Sequence, residues 1–145
     1  MAYPIGSTRK DEVAKGVFTQ TTVTLQSDGT LIGTAHTWTR NKFKGGHARA
    51  SVVLFDSVQN PVWILDPPVA CGVAGRWDPT GPSDRTVSIR GEVPPEAMSR
   101  ASYLAVVNTC ARYSIFFRWV KDHSSEIIAI AIAIFSKEEQ ASQPS

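Results

Sequence analysis

Hydrophobic and polar positions alternate through residues 17–39 except at Ser27-Asp28-Gly29-Thr30, the pattern of two half-buried strands joined by a tight turn. Asp-Gly supplies the positive φ angles of a two-residue type I′ turn. That turn predicts a hairpin in which Ser27 faces Thr30, Leu25 faces Ile32, Val23 faces Thr34, Thr21 faces His36 and Thr19 faces Trp38. Val17, Val23, Leu25, Ile32 and Trp38 then share a buried face, and His36 points into it. Gln20, Thr22, Thr24, Gly33 and Thr37 fall on the other face, with Phe18, Leu31 and Ala35 as exceptions.

Further strands are expected at 47–56, ending in Val52-Val53-Leu54-Phe55, and at 62–65, with the turn Ser57-Val58-Gln59-Asn60 between them. Asp66-Pro67-Pro68 ends this antiparallel meander, because proline cannot donate to a strand ladder. Residues 69–73 read as a weak strand, 75–85 as a Gly/Pro-rich surface loop, and 86–93 as a half-buried strand. Pro94-Pro95-Glu96 opens a short helix near 95–100, with proline tolerated in its first turn. A strand over 101–107 follows. From Tyr113 the spacing suits a second helix nearly as well as a strand. Ile and Ala alternate through 127–135, apolar on both faces, which predicts a covered central strand. It is too short for a transmembrane helix, which needs about 20 residues.

At 145 residues the chain has the length of one domain. We place that domain at 12–135, between flexible polar tails at 1–11 and 136–145. Hydrophobic residues make up 42% and charged residues 19%, which excludes a disordered or collagen-like chain and points to a soluble globular one. The first residues contain no apolar stretch of a secretory signal, so the chain as given reads as cytoplasmic, with export by another route left open. Two cysteines, Cys71 and Cys110, are too few for a disulfide framework. They are expected as free buried thiols, and whether they pair is left open.

A net charge of +2 is too mild to demand a nucleic-acid or lipid partner. Its distribution changes the picture. Arg40, Lys42, Lys44 and Arg49 lie in a stretch between Asp28 and Asp56 that holds no acid. With Phe43 and the flexible Gly45-Gly46 they form a basic loop with an aromatic side chain, suited to phosphate groups or simply to water. Trp38, Trp63 and Trp119 fall in apolar patterns and are assigned to the core. Trp77, between Arg76 and Asp78 in the Gly/Pro loop, either folds down as a plug or presents a ring for recognition.

None of the local signatures of nucleotide-binding loops, nucleophile elbows or zinc proteases occurs. Should the strand at 31–39 pair with that at 47–55, His36 and His47 would share a face, but the segment offers no third zinc ligand. Asp122-His123-Ser124-Ser125 holds the residue types of a triad, yet consecutive residues cannot generally adopt triad geometry. No metal or other cofactor is implied.

The expected fold is mainly β: an antiparallel sandwich of about seven or eight short strands, with one or two helices in the C-terminal half. The expected function is a non-catalytic binding or assembly module, recognising a glycan, a protein or an anionic surface through loops 40–49 and 75–85. Its site residues are Trp77, Arg76, Asp78, Arg40, Lys42, Phe43 and Lys44, and self-association into a homo-oligomer is compatible with it. The first rival is a membrane-active or pore-forming β protein that oligomerises and releases the Ile/Ala strand or the segment around Phe116-Phe117-Trp119 onto a bilayer. The second is a small hydrolase or isomerase using His36 with a carboxylate from a distant strand.

Overall fold

The structure is a computed structural model that describes residues 3–110. Eight strands and one helix follow in order: β1 Ile5–Ala14, β2 Val17–Leu25, β3 Thr30–Thr39, β4 Arg49–Phe55, β5 Pro61–Ile64, β6 Val69–Ala70, β7 Asp84–Glu92, α1 Pro95–Arg100 and β8 Tyr103–Thr109. They form two antiparallel four-stranded sheets. The first runs β1-β2-β3-β7. The second is centred on β4, with β8 along one side and β5 and β6 sharing the other. This is the expected β-sandwich with one short helix in its later half. The helix or strand from Tyr113, the Ile/Ala strand, Asp122-His123-Ser124-Ser125 and the C-terminal tail lie outside the described residues.

The β2–β3 hairpin forms, one residue out of the predicted register. Leu25 pairs with Leu31, Val23 with Gly33, Gln20 with His36 and Phe18 with Trp38. The turn is a three-residue loop: Gln26 and Thr30 close it, Gly29 donates back to the Gln26 carbonyl at 3.0 Å, and Gly29 alone takes a positive φ, of 92°. Asp28 stays outside that region because its Oδ1 accepts the Thr30 amide at 2.9 Å, an Asx turn that holds it in place. A methyl at Gly29 would also collide with the Val93 carbonyl.

A one-residue slip exchanges the two faces of a strand. Val17, Thr19, Thr21, Val23 and Leu25 therefore point inward with Leu31, Ala35, Thr37 and Thr39. Ile32, His36 and Trp38, expected inside, lie on the outer face, where Ile32 is 41% exposed.

Two other expectations change. Residues 5–11, read as part of a frayed tail, pair along β2 from Ile5 opposite Leu25 to Asp11 opposite Thr19. β3 does not pair with β4. Its second neighbour is β7, whose Val87 and Ile89 stand opposite Ala35 and Gly33, while residues 40–48 carry the chain to the other sheet.

The core lies between the sheets, where Val23, Leu25, Leu31 and Ile89 meet Val52, Leu54, Leu104 and Val106. Fully burying one such side chain contributes roughly 1.5–3 kcal/mol. Val53 and Phe55, on the other face of β4, are buried as well. That explains why 52–55 is apolar without alternation. The inward face turns polar toward one end, where Asn108 of β8 donates to the Arg9 carbonyl and to Asp11 Oδ2, both at 3.0 Å, and accepts from Thr21. Arg9 closes on Asp11 at 2.7 Å.

α1 begins on Pro95, with Glu96 in its first turn and Arg100 in its last, each at the end of the helix dipole that favours its charge. Ala97 is its buried contact. No helix among the described residues is long and apolar enough to cross a membrane.

Candidate functional site

Two loops that are distant in sequence meet at the end of the sandwich away from the Gly29 turn. They are joined by main chain: Gly46 and Val73 exchange bonds at 2.9 and 3.0 Å, Arg76 donates to the Asn41 carbonyl at 2.8 Å, and Trp77 to that of Lys42 at 2.7 Å. Gly45 permits this approach, since a methyl there would run into the Val73 carbonyl. The β1–β2 turn completes the platform, because Arg40 donates to the Gly16 carbonyl and the Asn41 side chain to that of Lys15, both at 2.8 Å.

On this braced backbone stand Phe43 and Trp77, 73% and 62% exposed. Trp77 is thus presented to solvent and not folded down as a plug. The rings meet edge to face, with centroids 5.5 Å apart and planes at 88°, an arrangement their quadrupoles favour. Lys42 Nζ lies 4.5 Å from the Trp77 ring centroid, a cation–π contact.

The remaining expected site residues divide. Arg76 and Lys44 are exposed on the same loops. Asp78 is spent locally: its Oδ1 accepts from the Thr80 hydroxyl at 2.6 Å and amide at 2.9 Å, and these bonds hold its carboxyl below the usual range. Arg40 turns away, its guanidinium 4.8 Å from the Phe18 ring.

Arg40 thereby belongs to a second cluster that the sequence reading missed, on the outer face of the first sheet. Phe18 and Trp38 stack across β2 and β3 at 5.7 Å and 21°. His36 lies 4.7 Å from Trp38, and Lys10 Nζ 5.2 Å from the same ring. The signal was the phase of the alternation. Counting the Gly29 loop as three residues puts Phe18, His36 and Trp38 on one wet face.

No protein-family model, curated protein or solved structure matches this chain. Its chemistry is therefore read from the residues alone.

His36 does meet a carboxylate from a distant strand, with Nε2 2.9 Å from Asp84 Oδ1. The two side chains are 41% and 68% exposed. It is an exposed pair at the sheet surface and not the floor of a cleft. His47 is exposed on the connection before β4, so the two histidines do not share the paired-strand face expected for them. Among the described residues no three His, Cys, Asp or Glu side chains gather as metal ligands.

Cys71 is buried and Cys110 exposed, and neither is bridged. Burial pushes the Cys71 thiol above its ordinary value. At the opposite end of the sandwich an open groove is lined by Asp28, Thr30, Glu92 and Pro94. It carries carboxylates where the loop end carries aromatic rings and cations.

Proposed function

We propose that this chain is a non-catalytic binding or assembly module that meets its partner through the loop end formed by 40–49 and 75–85. The observation that carries this reading is the pair Phe43 and Trp77, two large rings held open to water on loops pinned to each other by main-chain bonds. Leaving two such side chains exposed costs hydrophobic stabilisation, and pinning their backbone removes part of the ordering cost of binding. Lys42, Lys44 and Arg76 beside them add charge. Aromatic and basic groups together suit a glycan, a protein ligand or an anionic surface.

Purified protein should be tested against immobilised glycans, heparin and lipid vesicles, beside a Phe43→Ala/Trp77→Ala double variant. Loss of a hot-spot pair is expected to weaken capture by about thirtyfold or more while the double variant still melts cooperatively close to the wild type. Equal capture by both proteins would overturn the reading.

A further inference from the structure

We infer that the loop end is an adsorption face for an anionic lipid bilayer, with Phe43 and Trp77 entering the headgroup region and the surrounding cations meeting lipid phosphates. The inference rests on the loop-end reading and names the partner.

Ring geometry separates a bilayer from other aromatic-seeking ligands. Successive sugars or bases stack on rings that offer their faces in a common plane. Here the planes stand at 88°, and Lys42 already lies over Trp77. A membrane interface makes no such demand, because it accepts an aromatic side chain in any orientation that buries its apolar part beside polar headgroups. Lys42 suits that place too, since a lysine stem can lie along an apolar ring while its ammonium reaches the headgroups.

Charge supplies the direction. Lys15, Lys42, Lys44 and Arg76 belong to the turn and loops of this end, while the Arg40 guanidinium lies over Phe18 on the neighbouring sheet face. The loops of this end also carry two acids, Asp78 and Asp84, which the cations outnumber. Asp28 and Glu92 line the groove at the other end. Such a distribution turns the loop end toward a negative surface, and each Lys or Arg brought to it raises partition about fivefold.

The full chain should be sedimented with phosphatidylcholine vesicles, with and without phosphatidylglycerol. Binding is expected only to the anionic vesicles, falling as salt is raised, about fivefold weaker for each of Lys44→Gln and Arg76→Gln, and lost in Phe43→Ala/Trp77→Ala. Tryptophan emission should shift to the blue on the anionic vesicles, and the shift should vanish in Trp77→Phe while sedimentation persists. Failure to bind anionic vesicles, or binding without a Trp77-dependent shift, overturns the lipid assignment. If a glycan or protein is instead captured in a way that needs Phe43 and Trp77, the loop-end reading survives without it. Vesicle binding that the loop variants leave intact sinks both.

Discussion

The hydroxyl of Thr21 on β2 donates to the side-chain carbonyl of Asn108 on β8 at 2.6 Å, across the two layers of the sandwich and 87 residues along the chain. The Asn108 amide nitrogen is shared among the Arg9 carbonyl, Asp11 and the Thr19 carbonyl. One buried side chain thus satisfies polar groups on β1 and β2 that face a core from which water is largely removed.

Asn108→Leu removes the acceptor for Thr21 and the donor for the β1 and β2 oxygens together. An unsatisfied buried polar group costs about 1–3 kcal/mol, so a loss of about 2–4 kcal/mol is expected in urea denaturation, against about 1 kcal/mol for Thr21→Val. A change of Asn108 within the error of the midpoint would mean that the network contributes nothing.

The cysteines should separate by access. Cys110 is exposed, whereas burial both hides the Cys71 sulfur and raises its thiol pKa, leaving less thiolate at neutral pH. A maleimide is expected to label Cys110 in the native protein and Cys71 only after denaturation, read by intact mass. Equally rapid labelling of both would show that the interface between the sheets is open.

Acid should loosen the Gly29 hairpin. The Thr30 amide, bonded to the Asp28 carboxylate, holds that carboxyl below its ordinary value. A lowered folded-state value means that the contribution is present above the unfolded-state value and is lost as pH falls through the folded-state one. Asp28→Asn keeps an oxygen acceptor without the charge. Denaturation across pH should show the wild type ahead at neutral pH and the difference closing below the carboxylate range; a constant difference would contradict the assignment.

At the loop end, stability and recognition should come apart. Phe43→Ala and Trp77→Ala each remove an exposed ring, so unfolding is expected to change by only about 0.5 kcal/mol. Gly45→Ala forces a methyl against the Val73 carbonyl, and a loss of about 1–3 kcal/mol is expected. Thermal melts of the three variants settle the order. A Gly45 variant as stable as wild type would show that the loops are not braced there.

The strands were legible where alternation and punctuation agreed. Val87 and Ile89 announced β7, Pro94-Pro95 announced α1, and Asp66-Pro67-Pro68 closed the run before β6. What misled was turn chemistry. Asp28-Gly29 marks a hairpin, but whether the loop holds two residues or three depends on whether Asp28 itself adopts positive φ, and its bond to Thr30 decides that. The choice reversed the faces of β3 and sent His36 and Trp38 outside. Trp38 also defeats the expectation that it belongs to the core, because it finds its cover in Phe18 and Lys10 on the outer face. Loops 40–49 and 75–85 stood out by their glycines, charges and rings. Their joining through Asn41, Lys42, Arg76 and Trp77 uses main-chain atoms, which no side-chain pattern reveals.

The Asn108 amide also imposes a timetable. Its partners Arg9 and Asp11 lie 99 and 97 positions earlier, so during synthesis the opening ribbon emerges long before the group that will satisfy it. Until Asn108 clears the ribosome, β1 lacks the polar bonds that tie it to β8, and a nascent chain interrupted short of that residue exposes an unfinished edge to proteases and chaperones.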